Sequence, residues 1–177
     1  MKWARHLPTS LTLLRLALAI PLVYLLWQDR VLGALLLLFV AGITDLLDGY
    51  LAREFGWRTA VGAWLDPAAD KTLITTCLVT LTAKGYLPIW YCLVTIGRDL
   101  GLVIGVSVLL FFGTKIRIRP LLSGKLATVF QNLTILAAIL TPLHSRVDQA
   151  LPVMIWVSTG MTVISSLAYA RVAGTYR

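Results

Sequence analysis

Six long apolar runs, separated by short polar breaks, dominate the pattern of the chain. A membrane-spanning helix needs about 20 mainly apolar residues, and most of the runs approach or exceed that length. The pattern therefore predicts an all-α integral membrane protein of six transmembrane helices, preceded by a short basic interfacial segment at Met1–Pro8. Thr9 or Ser10 is the expected cap of the first helix. The six spans are expected at about Leu11–Trp27, Val31–Ala52, Val61–Ala83, Leu87–Phe112, Ser123–Leu140 and Leu151–Val172.

Composition supports this class of protein. The chain has 177 residues, of which 58% are hydrophobic and 14% charged, and its mean hydropathy is +0.83. A soluble domain of this size has too much surface for such a composition, so we expect a single membrane domain over residues 1–177. Lys2 and Arg5 before an apolar run also suit a secretory signal, but Arg15 interrupts that run and favours an uncleaved first span. Cys77 and Cys92 lie inside apolar runs and are expected to be core residues.

The net charge of +8 is distributed unevenly between the predicted loops. Lys and Arg are enriched in cytoplasmic loops of membrane proteins, so we place both termini in the cytoplasm and the protein in the bacterial inner membrane. Nucleic-acid binding is not expected, because no basic face with interleaved aromatic residues is present. The outer turns hold Arg30, Lys84 and Arg146, whereas the inner segments hold Lys2, Arg5, Arg53, Arg58, Lys115, Arg117, Arg119, Arg171 and Arg177.

The most informative stretch runs from Asp45 to Asp70 and reads DLLDGYLAREFGWRTAVGAWLDPAAD. A charged side chain costs about 2.5 to 3.5 kcal/mol at the centre of a bilayer on insertion scales. Four aspartates so close together need a common partner, and a divalent cation is the simplest one. Carboxylate oxygens suit Mg²⁺ or Mn²⁺ better than Zn²⁺. The expected metal ligands are Asp45, Asp48, Asp66 and Asp70, holding one or two ions.

Helical spacing would bring these carboxylates to one pocket. Asp45, Asp48, Gly49 and Ala52 recur at i, i+3, i+4 and i+7, which is one stripe of a helix. Asp66 and Asp70 are i, i+4 neighbours, and Gly62 lies one turn before them. Two helices meeting here would offer four carboxylates to one cavity open to the cytoplasmic side, with small residues leaving room for a ligand.

The same residues carry a resemblance to a known family. The pattern D-x2-D-G-x2-A-R-x8-G-x3-D-x3-D fits Asp45 to Asp70 without departure. This resembles the signature of the CDP-alcohol phosphatidyltransferases, which transfer a phosphatidyl group from CDP-diacylglycerol to an alcohol and release CMP. Pro8, Thr12 and Arg15 are similar to the N-terminal P-x3-T-x2-R element of the family, near the diphosphate of the nucleotide. Snorkelling to lipid headgroups is the alternative role for Arg15.

The resemblance implies roles for single residues. Asp70 matches the proposed general base, with metal binding as its competing role. The residues that match the CDP-diacylglycerol site are Thr12, Arg15, Gly49, Ala52, Arg53 and Gly62. The resemblance also implies membrane lipids as partners and a homodimer as the common assembly.

Arg98 and Asp99 lie near the middle of the fourth span. Adjacent side chains on a helix point about 100° apart, so we expect each residue to find its partner on another helix, with Arg98 facing an anionic substrate. A pair that neutralises itself is the alternative. The loop from Gly113 to Lys125 is the most basic one and suits either attraction to anionic lipids or a rim that binds phosphate. The candidate acceptor-binding residues are Arg98, Arg117, Arg119 and Lys125.

Single positions outside the aspartate motif indicate which alcohol is the acceptor. The sequence LDPAADK resembles the branch that holds phosphatidylglycerophosphate synthase, which uses glycerol 3-phosphate, and the CMP-forming cardiolipin synthase, which uses phosphatidylglycerol. The former usually carries an Arg and a Lys at the positions of Val106 and Ala127. The pattern R-x-R-P-x3-G-K-x2-T-x2-Q, Arg117 to Gln131, resembles the latter, so the interpretation favours phosphatidylglycerol. A different class, an ion or proton transporter that uses intramembrane acids, is the remaining alternative.

Overall fold

The computed structural model describes the backbone of residues 7–54, 60–111 and 122–175, and the side chains of residues 16–44, 71–105 and 122–171. Every regular element in the described backbone is helical, which confirms the expected all-α class for that part of the chain. A short 3-10 turn at Thr141–Leu143 precedes the last helix. The helices are α1 Leu7–Trp27, α2 Val31–Glu54, α3 Ala60–Ala83, α4 Ile89–Phe111, α5 Leu122–Leu140 and α6 Ser145–Thr175.

Two helices begin four to six residues before the predicted start. α1 begins at Leu7, so Thr9 and Ser10 lie inside the helix and the predicted cap is wrong. Pro8 is compatible with this start, because the first turn of a helix needs no backbone N–H donor from proline. α6 begins at Ser145 rather than near Leu151, since the polar residues before the apolar run are already helical. The interfacial segment at residues 1–6 lies outside the described residues.

The chain divides into two compact units. The first ends at Lys84 and holds α1, α2 and α3, with α1 packed against both of the others. Gly33 permits the close approach of α2 to α1, because a Cβ atom there would lie 3.0 Å from Leu25 Cδ2. The α1–α2 turn contains Asp29 with φ of +52°. The Lys84 ammonium donates to the carbonyls of Leu26 and Trp27 and pairs with the Asp29 carboxylate, which ties the end of α3 to this turn.

The second unit begins at Gly85 and holds α4, α5 and α6, with α6 packed against both of the others. Its interior contains hydroxyl groups. Tyr91 of α4 and Ser158 of α6 are fully buried, and their oxygens are 2.8 Å apart. Thr134 of α5 donates to the carbonyl of Phe130 at 2.8 Å and to that of Met154 at 3.3 Å, so a side chain of α5 bonds the backbone of α6.

The faces of these helices have the polarity expected in lipid. Large apolar side chains such as Leu32, Phe39 and Trp156 are 66–70% exposed. A soluble monomer rarely exposes so much apolar surface. Among the residues whose side chains the structure describes, two helical stretches, Leu122–Leu143 and Ser145–Arg171, are long and apolar enough to cross a bilayer by length and composition. These findings indicate a membrane protein.

Shorter apolar helical stretches occur at Leu16–Trp27, Val31–Thr44 and Lys71–Ala83 among the residues with described side chains. Both cysteines are buried and unpaired, as expected for core residues. The six-span topology stays a prediction.

Candidate functional site

The four aspartates lie on two helices of the first unit. Asp45 and Asp48 are on α2, and Asp66 and Asp70 are on α3, so the helical conformation behind the predicted spacing is confirmed. Each pair therefore has the i, i+3 or i, i+4 relation that brings side chains to one stripe of a helix. Their side chains lie outside the described residues, and the convergence of the four carboxylates stays a prediction.

The residues expected to bind CDP-diacylglycerol belong to the same unit. Thr12 and Arg15 are on α1, and the remaining residues are on α2 and α3, which both pack against α1. The predicted donor site and metal site thus share three neighbouring helices. The side chains of this set are also outside the described part, and its members on α2 and α3 are Gly49, Ala52, Arg53 and Gly62.

Among the described side chains, no group of three or more His, Cys, Asp or Glu residues could hold a metal ion. The metal prediction therefore depends on the four aspartates alone. Their chemistry fits a hard divalent ion, because carboxylate oxygens are the ligands that Mg²⁺ and Mn²⁺ prefer.

Arg98 has the best-defined polar environment in the second unit. Its side chain is 7% exposed. The Nη1 atom donates to Asp99 Oδ1 at 2.8 Å, and Nη2 donates to Ser165 Oγ at 3.2 Å and to the carbonyl of Gly124 at 3.3 Å. A partner on another helix was expected for Arg98, and α5 and α6 both supply one. The expectation that it would not pair with Asp99 is wrong, because the long side chain of arginine can turn its guanidinium back to the next residue.

Gly124 is the point where α5 and α6 approach most tightly near Arg98. A Cβ atom at Gly124 would lie 2.8 Å from Tyr169 Oη and 3.0 Å from Tyr169 Cε2. The Gly124 carbonyl also accepts a hydrogen bond from Thr128 Oγ1 at 3.1 Å. Only a residue without a side chain leaves both the tyrosine ring and the carbonyl in these positions.

Two of the four predicted acceptor residues, Arg98 and Lys125, have described side chains. Lys125 directly follows Gly124, whose carbonyl binds Arg98, and Lys125 itself is exposed. Arg117 and Arg119 lie outside the described residues. Two polar residues lie in the middle of α5, and of these Gln131 is 4% exposed. Asn132 is exposed, because it lies about 100° around the helix from the buried stripe.

Sequence reasoning missed Ser165, although a signal for it exists. Ser158, Thr162, Ser165 and Tyr169 recur at i, i+4, i+7 and i+11 along an otherwise apolar helix. The first three are buried, at no more than 3% exposure. A stripe of hydroxyl groups at helical spacing therefore marks the inner face of α6, and Arg98 binds to one member of that stripe.

Comparison with known proteins decides the family. The sequence profile described as CDP-alcohol phosphatidyltransferase matches residues 5–164. The chain belongs to the CDP-alcohol phosphatidyltransferase family. The match includes all four aspartates, Arg98 and Lys125, so both the donor-site and acceptor-site predictions fall on residues of this phosphatidyltransferase domain.

Two relatives differ in the activity that their names state. Human cardiolipin synthase (CMP-forming) is 30% identical over 176 residues, covering 90% of this chain and 58% of the human protein. The CDP-diacylglycerol–glycerol-3-phosphate 3-phosphatidyltransferase of Rickettsia bellii is 31% identical over 184 residues, covering 99% of both chains. This phosphatidyltransferase chain thus spans somewhat more than half the length of the human relative and nearly all of the bacterial one.

Proposed function

We propose that this protein transfers a phosphatidyl group from CDP-diacylglycerol to a glycerol-type alcohol and releases CMP. The observation that carries the proposal is the complete eight-position aspartate motif on α2 and α3, inside a family match over residues 5–164. Apolar helices with aspartates near one end suit the donor, because CDP-diacylglycerol has acyl chains in the bilayer and a nucleotide in water. A single domain over residues 1–177, with six spans, cytoplasmic termini and a cavity open to the cytoplasm, belongs to this proposal.

The reaction assigns a distinct task to each group of residues. The acceptor hydroxyl attacks the phosphorus that carries the diacylglycerol, the bond from that phosphorus to the bridging oxygen breaks, and CMP leaves with that oxygen. Asp70 is the candidate base that takes the hydroxyl proton. Arg53 suits the diphosphate of the donor, because its guanidinium can donate two parallel hydrogen bonds to phosphate oxygens.

The donor set of Asp45, Asp48, Asp66 and Asp70 fits one or two Mg²⁺ or Mn²⁺ ions by its chemistry. When bound, such an ion supplies neutralisation of the diphosphate charge. The aspartates themselves would hold the ion and orient the donor at the inner ends of α2 and α3. Asp70 would serve either as a metal ligand or as the base, and its two roles compete.

Phosphatidylglycerol is the acceptor that we favour. Ala127 is 1% exposed and lies one turn from Gly124, whose carbonyl binds Arg98. A lysine at position 127 would add a cation to the interior of this unit, whereas alanine adds none. Val106 likewise supplies no charge on α4. Fewer cations favour an acceptor with one phosphodiester charge over a small dianion.

Glycerol 3-phosphate is the alternative acceptor. The Rickettsia relative whose name states that substrate matches this chain over 99% of both lengths. An assay separates the two acceptors. The purified protein is incubated with CDP-diacylglycerol, Mg²⁺ or Mn²⁺, and either phosphatidylglycerol or glycerol 3-phosphate, and CMP and the lipid product are measured.

Cardiolipin formation from phosphatidylglycerol is the expected result. Phosphatidylglycerophosphate as the only product would refute the favoured acceptor while keeping the reaction class. Absence of CMP with both acceptors would refute the reaction itself, and it is the result that a transporter would give.

A further inference from the structure

The Arg98 guanidinium is held by three helices of the second unit. It lies on α4, and its hydrogen-bond partners are the next residue of α4, a backbone carbonyl of α5 and a hydroxyl of α6. Ser165, which supplies that hydroxyl, is fully buried. A cation buried in a membrane protein is costly unless it is paired. Asp99 supplies that pair, and the carbonyl and the hydroxyl fix the orientation of the guanidinium.

The hydrogen bonds of Arg98 leave a buried N–H donor of the guanidinium without a partner among the described residues. Arginine has five N–H donors in a fixed planar fork. Nη1 binds Asp99, and Nη2 binds both Gly124 and Ser165. The Nε atom is buried and has no hydrogen-bond partner among the described residues. Buried donors are rarely left unsatisfied, so an N–H that points from a fixed group is suited to an oxygen of a ligand.

We propose that Ser165 is a positioning residue for the acceptor, an inference that rests on the proposed function. Its hydroxyl accepts from Nη2 and, together with the Gly124 carbonyl, sets the rotation of the guanidinium plane. Asp99 binds Nη1, and Gly124 and Ser165 bind Nη2, so Nε is the one guanidinium nitrogen without a partner among the described residues, and its N–H is the donor for a phosphate oxygen of the acceptor. Both candidate acceptors carry a phosphate, so the inference names that chemistry for either of them.

The second unit contains a matched control for Ser165. Ser158 is also fully buried and lies on the same stripe of α6, seven residues before Ser165. Its hydroxyl is 2.8 Å from that of Tyr91, a neutral side chain, rather than from Arg98. Ser158→Ala therefore removes an equally buried hydroxyl from the same helix without touching the guanidinium.

The test measures KM for each substrate separately in Ser165→Ala, Ser158→Ala and the unmodified chain. Glycerol 3-phosphate and phosphatidylglycerol are the acceptor probes, used in separate arms with CDP-diacylglycerol at saturation. We expect Ser165→Ala to raise the KM of the productive acceptor about tenfold, the scale of one lost hydrogen bond to a charged group. The KM of CDP-diacylglycerol should not change, and Ser158→Ala should leave both values unchanged.

Two outcomes overturn the inference. One is an acceptor KM in Ser165→Ala equal to that of the unmodified chain; the other is an equal rise in Ser158→Ala, which would indicate general loosening of α6. If the alanine variant does not fold, Ser165→Cys keeps nearly the same side-chain volume with a weaker acceptor atom. This variant must also show a raised KM for the acceptor and an unchanged KM for CDP-diacylglycerol. If the unmodified chain releases no CMP, the proposed function has failed. If the unmodified chain releases CMP but Ser165→Ala does not raise the KM of the acceptor, only the role of Ser165 is refuted.

Discussion

Replacement of Gly124 by alanine tests whether the close approach of α5 and α6 holds the Arg98 environment in place. A Cβ atom at this position would lie 2.8 Å from Tyr169 Oη and 3.0 Å from Cε2. Carbon atoms in proteins pack at about 3.5 to 4.0 Å, so the tyrosine ring or a helix must move. The ring belongs to α6, four residues after Ser165, and its displacement would disturb the partners of Arg98.

The expected change in stability is the difference between two opposing effects. Alanine is favoured over glycine inside a helix by about 0.8 to 1.0 kcal/mol. Overpacking of a filled interior costs about 1 to 3 kcal/mol. Gly124→Ala should therefore lower the free energy of unfolding by as much as about 2 kcal/mol. Gly160 of α6 is the matched control, because nothing lies within 4 Å of a Cβ atom built there.

Thermal unfolding of both variants in one detergent, followed by tryptophan fluorescence, measures the comparison. Gly160→Ala should unfold at or above the temperature of the unmodified chain. Gly124→Ala should unfold several degrees below Gly160→Ala, since about 1 kcal/mol shifts Tm by roughly 2 to 4 °C in a chain of this size. A combined Gly124→Ala and Tyr169→Ala variant should recover part of the loss. The reasoning is refuted if the Gly124 variant is as stable as the Gly160 variant.

The remaining predictions concern the first unit. Lys84→Met should cost about 1 to 3 kcal/mol, because it leaves two carbonyls at the end of α1 without their charged donor. Asp29→Asn should cost less than about 1 kcal/mol, since the Asp29 side chain is 45% exposed. Equal losses in thermal unfolding would contradict this ranking. Asp66→Asn, and separately EDTA, should abolish CMP release while the chain stays folded in detergent; normal turnover in either case would remove the metal hypothesis.

The helix ends were predictable where a polar turn interrupts an apolar run. The sequence-based boundaries at Trp27, Val31, Ala83 and Leu140 coincide with the observed helix ends. The turn after α1 and the turn after α3 each contain a residue with positive φ, Asp29 and Gly85. Aspartate and glycine are residue types that tolerate this conformation. A residue with positive φ interrupts the helical conformation, so the local chemistry of these turns indicates where α1 and α3 end.

The start of α6 was not predictable from hydropathy. Hydropathy locates the part of a helix that suits the hydrocarbon core, whereas the helix itself continues as far as its backbone hydrogen bonds do. α6 has 31 residues and is about 46 Å long, well beyond the roughly 30 Å of a hydrocarbon core. Asp148 in its first turn suits the positive end of the helix dipole, so the polar start is stable as helix.

The partners of Arg98 show a second limit of the sequence. Periodicity indicates which side chains share a face of one helix, but not which helix lies opposite or how a long side chain bends. The pair formed with Asp99 was therefore judged unfavourable, although Nη1 and Oδ1 are 2.8 Å apart. The four aspartates, in contrast, stand out in the sequence because acidic residues are costly in an apolar stretch, and their convergence stays a prediction.

The hydroxyl stripe of α6 connects these observations. The buried residues Thr162 and Ser165 share the helix with Trp156, which is 68% exposed, so the polar side of α6 lies inside. Burying hydroxyl groups costs little, because a threonine can donate a hydrogen bond to its own helix. Thr162 Oγ1 donates in this way to the carbonyl of Ser158 at 2.8 Å. A guanidinium has no such local partner for all five donors. The Ser165 hydroxyl and the Gly124 carbonyl can hold Arg98 in a single orientation. A purely aliphatic interior of the same shape would leave the guanidinium donors unsatisfied and could not hold it.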